Sequence, residues 1–209
     1  MFDEIRNSYL DFPHNLSDEN QELVDKLPSD YLGFLRIHNG GFVDEFRYTF
    51  GTGVPFKTTE VDNPSRDDCP VEFFGIATGE KNESRPRDLI QIAAEYAEEE
   101  FLPTGVIAIA RCVANSLVCL SLRHEDHGSI YYWDWYWYFP GSKPFFEARM
   151  VDALAGFERS DVISEDPSHP RYVELYDALN FATLVKIAAS FSDWFRECQD
   201  RSHSSDDDS

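Results

Sequence analysis

The side chains best suited to chemistry lie in one short segment, His124-Glu125-Asp126-His127. Imidazole and carboxylate groups bind zinc and also act as general acids and bases. Ligand pairs usually come from rigid elements, at i,i+4 on a helix or on facing strands, whereas these four residues are consecutive. A solvated hairpin turn explains the segment better, so we predict neither a metal site nor a cofactor.

Other candidates for catalysis form no arrangement that the sequence supports. Asp30 could pair in space with Glu4 or Asp134, but a favourable charge in the first turn of a helix explains Asp30 more simply. The chain contains no Gly-x-Ser-x-Gly elbow, phosphate-binding loop, His-Glu-x-x-His pair or Cys–His signature. We therefore predict that the protein is not an enzyme, and a metal-dependent hydrolase using His124 and His127 is the least favoured hypothesis.

The charge of the chain limits the partners that it can bind. Its 209 residues include 39 acidic and 18 basic ones, for a formal net charge of -21 at pH 7. Nucleic acids and anionic membranes attract positive charge, so we predict that the protein binds neither. A basic partner, such as a nuclease whose own site binds phosphate, is compatible with this charge, although acidity also favours solubility in general.

The sequence shows no targeting signal. Its start, Met1-Phe2-Asp3-Glu4, lacks the basic residues of a signal peptide, and no apolar stretch approaches the length of a membrane span. The cysteines lack Cys-x-x-Cys spacing, which is typical of free thiols in a reducing compartment. They are Cys69, Cys112, Cys119 and Cys198. These observations predict a cytoplasmic protein, and residues 202–209, rich in Ser and Asp, predict a disordered acidic tail.

An almost unbroken aromatic run, GSIYYWDWYWYFP at residues 128–140, predicts a strand with large side chains on both faces. One stripe consists of Tyr131, Trp133, Trp135, Trp137 and Phe139. The other consists of Ile130, Tyr132, Asp134, Tyr136 and Tyr138. The tryptophan stripe is bulkier and more apolar, so we expect it in the core. The second stripe is amphipathic and suits a wet, protein-binding face.

Apolar periodicity and turn residues predict the elements around this strand. Helices are expected at residues 17–27, within 27–41, at 86–100 and at 182–198. Strands are expected at 46–50, 71–76, 106–110, 117–122 and along the aromatic run, with a loop at 51–70. Short turns between consecutive strands favour antiparallel pairing.

The second predicted helix has a recognisable start and end. Pro28 suits the first turn, where its missing N–H costs nothing, and Tyr31, Phe34 and Leu35 fall on one face that we expect in the core. Asn39-Gly40-Gly41 tolerates positive φ and ends the helix. The same three residues could cradle an anion, but the helix end explains them fully.

This order of elements predicts an α+β fold with one antiparallel, or mixed, sheet and helices packed on one face. We expect a single domain over residues 1–201, because no internal repeat or linker divides the chain. Residues 140–170 are predicted to make a long irregular excursion across the surface.

Four stretches resemble the SUKH superfamily, the group that includes fungal Smi/Knr cell-wall assembly regulators and many bacterial immunity proteins. Their order along the chain matches that of the family's motifs. They are LPSDYLGFL at 27–35 with Asn39-Gly40-Gly41, then Phe73-Phe74-Gly75-Ile76, then 103–122 with 128–134, and finally 187–195. Asn115 stands where the family often has glycine in a turn, and asparagine tolerates the same backbone conformation.

The resemblance implies a SUKH-like fold and a non-catalytic, protein-binding function. The first hypothesis is an immunity protein that neutralises a cognate basic toxin, and the alternative is an intracellular scaffold or regulator. We predict that the partner contacts residues of the amphipathic stripe and an acidic rim around it. These residues are Tyr132, Asp134, Tyr136, Tyr138, Asp44, Glu45, Glu125 and Asp126.

A competing possibility is that the chain covers this stripe itself. Phe145, Phe146, Met150, Val151 and Leu154 could fold back over the aromatic strand. The sequence favours neither arrangement over the other, and it leaves the oligomeric state open.

Overall fold

The computed structural model describes residues 5–6, 11–43, 70–76, 88–98, 102–112, 115–133, 143–158 and 171–196. Several predictions from sequence lie outside these residues. They are the strand at 46–50, nearly all of the loop at 51–70, the aromatic positions beyond Trp133 and the tail at 202–209.

The described strands form one seven-stranded sheet whose spatial order is the order of the chain. They are β1 (Ile5–Arg6), β2 (Gly41–Val43), β3 (Pro70–Phe73), β4 (Val106–Cys112), β5 (Leu117–Ser121), β6 (Ile130–Trp133) and β7 (Leu184–Ala188). Every neighbouring pair is antiparallel. The predicted α+β class with a single antiparallel sheet is therefore confirmed.

The described helices lie between these strands along the chain, except the last one, which follows β7. They are α1 (Asp18–Lys26), α2 (Ser29–His38), α3 (Leu89–Glu98), α4 (Lys143–Leu154), α5 (Tyr172–Ala182) and α6 (191–196). The predictions at 17–27, 27–41 and 86–100 correspond to α1, α2 and α3. Ser17 caps α1 as an N-cap serine should, since its Oγ accepts a hydrogen bond from the Asn20 N–H.

The end of α2 is locked by Asn39, which has the left-handed φ of 43°. Its side-chain oxygen accepts from the Ile76 N–H at 2.8 Å, and its amide donates to the Ile76 carbonyl at 3.0 Å. A third bond runs from the amide to the Asp11 carbonyl. The predicted helix stop is confirmed, and the asparagine also ties α2 to the segment that follows β3.

One face of the sheet packs against α2 and α6. The Phe34 ring of α2 lies 5.1 Å from the ring of Phe73 in β3. The Trp194 ring of α6 lies 6.0 Å from the same Phe73 ring. Tyr31 contacts Phe191 at 5.0 Å, which joins the two helices. The expected core residues of α2 are confirmed, because Tyr31 and Phe34 are buried and Leu35 is buried beside them.

The opposite face carries a helix that the sequence did not predict. Tyr131 points away from its neighbour Tyr132 in β6, and its ring meets Phe181 of α5 edge-on at 5.5 Å. In turn, α4 packs along α5. The sheet therefore has helices against both faces.

The predicted helix at 182–198 is wrong over its first half. Residues 184–188 form β7, which pairs with β6 from Leu184↔Trp133 to Ala188↔Ile130. After β7 the described residues 191–196 are helical, and Ser190 precedes this helix as a cap whose Oγ accepts from the Asp193 N–H. Leu184-Val185-Lys186-Ile187 satisfies helical and strand patterns alike, and the open edge of β6 decides in favour of the strand.

The prediction that residues 140–170 are irregular is wrong at 143–154, which form α4. Pro144 lies in the first turn of this helix, where proline is tolerated. The adjacent α5 was missed although Tyr172, Leu175, Tyr176 and Leu179 have helical spacing.

Candidate protein-binding surface

The position of Tyr132 corrects the predicted role of its stripe. Phe73 pairs with Ala110, Ala110 with Val118, and Val118 with Tyr132, so these four side chains share the face covered by α2 and α6. Tyr132 is only 9% exposed. The prediction of an open amphipathic face is therefore wrong at this position, because helices cover the side of the sheet that was expected to be bare.

The described part of the tryptophan stripe, Tyr131 and Trp133, is buried as well, on the other face of the sheet. Tyr131, Trp133 and their neighbours Leu117 and Leu184 are all buried. The cover comes from α5 through Phe181, and Arg149 of α4 lies close enough to Tyr131 to act on the pKa of its hydroxyl. Among the described residues, helices therefore cover both faces of β6.

The second possibility raised by the sequence was that Phe145, Phe146, Met150, Val151 and Leu154 fold over the amphipathic stripe. At Tyr132 that stripe is covered by α2 and α6 instead, while α4 packs along α5 on the opposite face. Met150 and Leu154 of α4 are half-buried, whereas Val151 is 67% exposed. The side chains of Phe145 and Phe146 lie outside the described ones. The helix α4 therefore packs along α5 and presents exposed side chains of its own.

Asp126 has a structural role in the turn between β5 and β6. Its carboxylate accepts hydrogen bonds from the Ser121 hydroxyl at 2.6 Å and from the Tyr131 hydroxyl. Partial burial acts to raise the pKa of Asp126, but these two bonds and the charges of Arg123 and Lys186 hold it below its usual range. Burial and the Asp126 carboxylate in turn raise the pKa of Tyr131.

The remaining residues of this turn do not gather as metal ligands. His127 Nε2 lies 2.9 Å from the Lys26 carbonyl oxygen. The Asp126 carboxylate accepts hydrogen bonds from the Ser121 and Tyr131 hydroxyls. Within the described ranges, no three His, Cys, Asp or Glu residues are placed to hold a metal ion. Cys112 and Cys119 are buried and form no disulfide, and burial raises the pKa of Cys119.

Arg123 connects the turn to α5. Its guanidinium lies over the Phe181 ring at 4.5 Å and 3.7 Å from the carboxylate of Glu125, which is itself exposed. Arg171, at the start of α5, is similarly occupied, lying 4.3 Å from the Phe157 ring and 3.1 Å from Glu174. Both arginines therefore sit beside carboxylates and aromatic rings.

The outer side of α4 and α5, with the adjoining turn, forms what we call the acidic front. Its exposed acidic side chains are Glu125, Glu147, Asp152, Glu158 and Glu174. Two large exposed apolar residues lie among them, Val151 and Val173, each 67% exposed. Tyr172 and Tyr176 add a pair of half-buried rings 4.4 Å apart. A surface of this composition suits contact with a basic, partly apolar partner.

The arrangement of helices and strands agrees with a comparison against protein families, in which the model of the SMI1 / KNR4 family (SUKH-1) matches residues 20–197. The chain belongs to the SUKH-1 family. Membership supports a toxin-immunity or regulatory role in general, and proteins of this family are generally non-catalytic and bind partner proteins. No curated protein and no solved structure matches the chain.

In this SUKH-1 protein, the motifs that resemble the SUKH superfamily have structural roles. The Leu27-Pro28 pair packs close to the turn before β6, where an added Cβ at Gly128 would lie 3.6 Å from Pro28. Phe73, Phe74 and Ile76 are completely buried. Asn115 has the positive φ of 63° that its place in the turn requires. These motifs therefore identify the fold and not the binding surface.

Five of the predicted partner-binding residues of this SUKH-1 protein lie outside the described residues. They are Asp44, Glu45, Asp134, Tyr136 and Tyr138. Among the described helices, none is long and apolar enough to cross a membrane.

Proposed function

We propose that this SUKH-1 protein is a non-catalytic immunity protein that neutralises a basic toxin by binding it directly. The observation that carries the proposal is the net charge of -21 on a chain whose family binds partner proteins. Inhibition by binding needs no cofactor, no nucleic acid and no membrane. The proposal includes action in the cytoplasm, beside the toxin's target.

The acidic front supports this mode of action. Carboxylates on α4, α5 and the turn at Glu125 attract a basic protein over long range and orient it on approach. Val151 and Val173 supply apolar area that is shielded from water once the partner has docked. The partner's phosphate-binding or substrate-binding groups would then face carboxylates in place of their substrate.

The predicted site residues have different roles in this proposal. Glu125 is exposed beside α5 and fits the front directly. Tyr132 and Asp126 are engaged inside the domain, so we assign them to support of the fold. Asp134, Tyr136 and Tyr138 continue the chain from β6 and, with Asp44 and Glu45, are kept as proposed contacts.

Co-purification from the native host at low salt tests the proposal. The bait is the full chain, and a matched bait carries Glu147→Lys, Asp152→Lys and Glu174→Lys, all at exposed positions; Glu174→Lys also removes the ion pair with Arg171. We expect the first bait to retain a basic protein that the second loses, and that added NaCl releases. Recovery of the same protein by both baits would show that the front is not the contact.

A second experiment tests whether Asp134 and Tyr136, which follow β6 in the chain, contact the partner or belong to the core. Asp134→Ala with Tyr136→Ala should weaken capture of the same partner and leave the thermal unfolding temperature nearly unchanged. Tyr132→Ala is the comparison, because removing a buried ring should cost about 3–5 kcal/mol of stability. A large loss of stability in the double variant would place those residues in the core.

A scaffold or regulatory role is the alternative within the same family. Its support is an apolar groove between α2 and α6, lined by Phe34, Phe191 and Phe195 on the other side of the sheet, which differs in chemistry from the acidic front. The two roles differ in their consequence for the partner. An immunity protein abolishes the activity of its partner at one-to-one stoichiometry and is encoded beside it, whereas a scaffold leaves that activity intact.

A further inference from the structure

The seven-stranded sheet ends at β7, so the outer edge of this strand is a place where another chain could add a strand. Among the described residues, β7 pairs with β6 alone. In an antiparallel pair, the N–H and C=O groups of alternate residues point away from the partner strand. Within Leu184–Ala188, these outward groups form a row that can bind the backbone of a further strand.

The opposite end of the sheet has a different kind of edge. There β1 is described over Ile5 and Arg6, and it pairs with β2. Two residues offer too few hydrogen bonds to recruit another chain, and short edge strands are a common protection in soluble proteins. β7 has five residues, so its length gives no such protection.

The composition of β7 favours pairing at every position except its centre. The strand reads Leu-Val-Lys-Ile-Ala, so its residues are apolar apart from the lysine. Val185 and Ile187 are β-branched and favour extended structure. Apolar segments of this kind promote association between chains when they lie at a sheet edge. Lys186 interrupts the segment and is exposed, whereas its neighbours in the strand are buried or half-buried.

The central position of Lys186 has a geometric consequence for a dimer. If two copies of β7 paired antiparallel over their full length, Lys186 of one copy would lie directly opposite Lys186 of the other, because it is the middle residue of five. Like charges directly opposite each other destabilise a strand pair, and each ammonium group would also lose water. Shifting the pairing by two residues separates the lysines but leaves only three residues of each strand paired. Lys186 therefore disfavours the register that would form the most hydrogen bonds.

We propose that Lys186 prevents the free edge of β7 from pairing with a second copy of the chain. The net charge of -21 repels copies at long range, but salt screens that repulsion beyond about 10 Å at 0.1 M. Repulsion between two Lys186 side chains acts at direct contact, where screening is weakest. The proposal is independent of the immunity function, because it concerns the edge of the sheet and not the acidic front.

Lys186 has a second interaction, and a test must separate its effect from that of the edge. The lysine charge acts on the carboxylate of Asp126, in the turn between β5 and β6. Lys186→Val removes both the repulsion between copies and the attraction to Asp126. Lys186→Glu also removes the attraction, but it again places like charges opposite each other in a dimer. A difference in association between these two variants therefore reports on the edge.

The full chain and its variants are compared by sedimentation equilibrium in about 0.5 M NaCl, which screens the net charge. We expect the unchanged protein and Lys186→Glu to remain monomeric, and Lys186→Val to form dimers at least about tenfold more tightly than either. Lys186→Thr, which is neutral but polar, should associate to an intermediate degree and replaces Lys186→Val if that variant precipitates. Lys26→Val is the matched control, because it makes the same substitution at an exposed position on α1 and should remain monomeric.

Amide hydrogen exchange locates the contact. In the unchanged monomer, alternate amides of residues 184–188 should exchange quickly, and in the Lys186→Val dimer their exchange should slow by at least about tenfold. Exchange in α1 should be the same in both proteins. Matching circular dichroism spectra show that the variants keep the fold.

The proposal is wrong if both neutral variants remain as monomeric as the unchanged protein. Association of Lys186→Glu as tight as that of Lys186→Val would overturn it too, by pointing to the lost contact with Asp126. Equally tight association of Lys26→Val would show that any added apolar side chain suffices. Slow exchange at every amide of 184–188 in the unchanged monomer would show that the chain itself already covers this edge.

Discussion

At the scale of single residues, Asn39 and Gly40 show how a short motif determines local geometry. Asn39 ends α2 in a left-handed conformation and bonds both backbone groups of Ile76. Gly40 follows with φ of 80°, and its Cα lies against the backbone of residues 73–75. The motif therefore brings the end of a helix into contact with the strand beyond it, which no larger residue would allow.

Gly40→Ala should be strongly destabilising, because the new Cβ would lie 2.6 Å from the Gly75 nitrogen and 2.8 Å from the Phe73 oxygen. Clash and backbone strain together should lower the free energy of unfolding by about 2–4 kcal/mol. Gly33→Ala is the control, since nothing lies within 4 Å of its added Cβ in the middle of α2. Helix propensity should make that variant about 0.5–1 kcal/mol more stable. Urea unfolding followed by circular dichroism measures both, and similar stabilities would contradict the description of this contact.

Asp126 makes stability depend on pH in a defined direction. Its pKa is lowered in the folded protein, so its stabilising contribution is present above the unfolded pKa of about 4 and is lost as the pH falls through the folded value. Asp126→Asn should therefore be less stable than the unchanged protein at pH 7, and the difference should shrink below about pH 4. Urea titrations at several pH values give both curves. A difference that stays constant with pH would mean that the carboxylate charge contributes nothing.

At the scale of elements, α5 covers the face of β5, β6 and β7 that carries Tyr131. The contact runs through Phe181, which meets Tyr131 on one side and the Arg123 guanidinium on the other. A helix that covers a sheet in this way replaces water over a row of buried aromatic residues. The same helix pair carries the acidic front, so the cover of the core and the proposed binding surface belong to opposite sides of this pair.

Phe181→Ala should loosen α5 from the sheet. Because Phe181 is only half-buried, we expect a loss of about 2 kcal/mol, together with a red shift of tryptophan fluorescence as water reaches Trp133. Val173→Ala changes an exposed residue of the same helix and should alter stability by less than about 0.5 kcal/mol. Amide hydrogen exchange would locate the effect in α4, α5 and β6. Uniformly faster exchange across α1 and α2 would argue that the helix is not a separate cover.

At the scale of the whole molecule, the excess of acidic residues sets the long-range electrostatics. With a net charge of -21, the acidic side chains repel one another in the compact state. Salt screens this repulsion, with a screening length of about 10 Å at 0.1 M. The same charge accelerates encounter with a basic partner at low salt. Stability and partner binding should therefore respond to ionic strength in opposite directions.

Raising NaCl from about 0.02 M to about 0.5 M should increase the thermal unfolding temperature by several degrees, since repulsion falls as the Debye length shortens. Over the same range the association rate with the captured basic partner should fall by about tenfold or more. Scanning calorimetry and stopped-flow mixing measure the two effects. An association rate that does not change with salt would remove the electrostatic basis of the proposed function.

The sequence by itself determined the features that depend on neighbouring residues. Ser17, Pro28 and Asn39 mark helix ends through local hydrogen bonds and allowed φ, and the short apolar runs of β4 and β5 are visible without any partner. The order of these elements, with their motifs, was also sufficient to indicate the family. Only the tertiary structure decided that 184–188 is a strand, because that choice depends on the free edge of β6, far away in the chain. It also decided which residues remain exposed, since burial depends on whether a distant helix, α5, packs over the sheet.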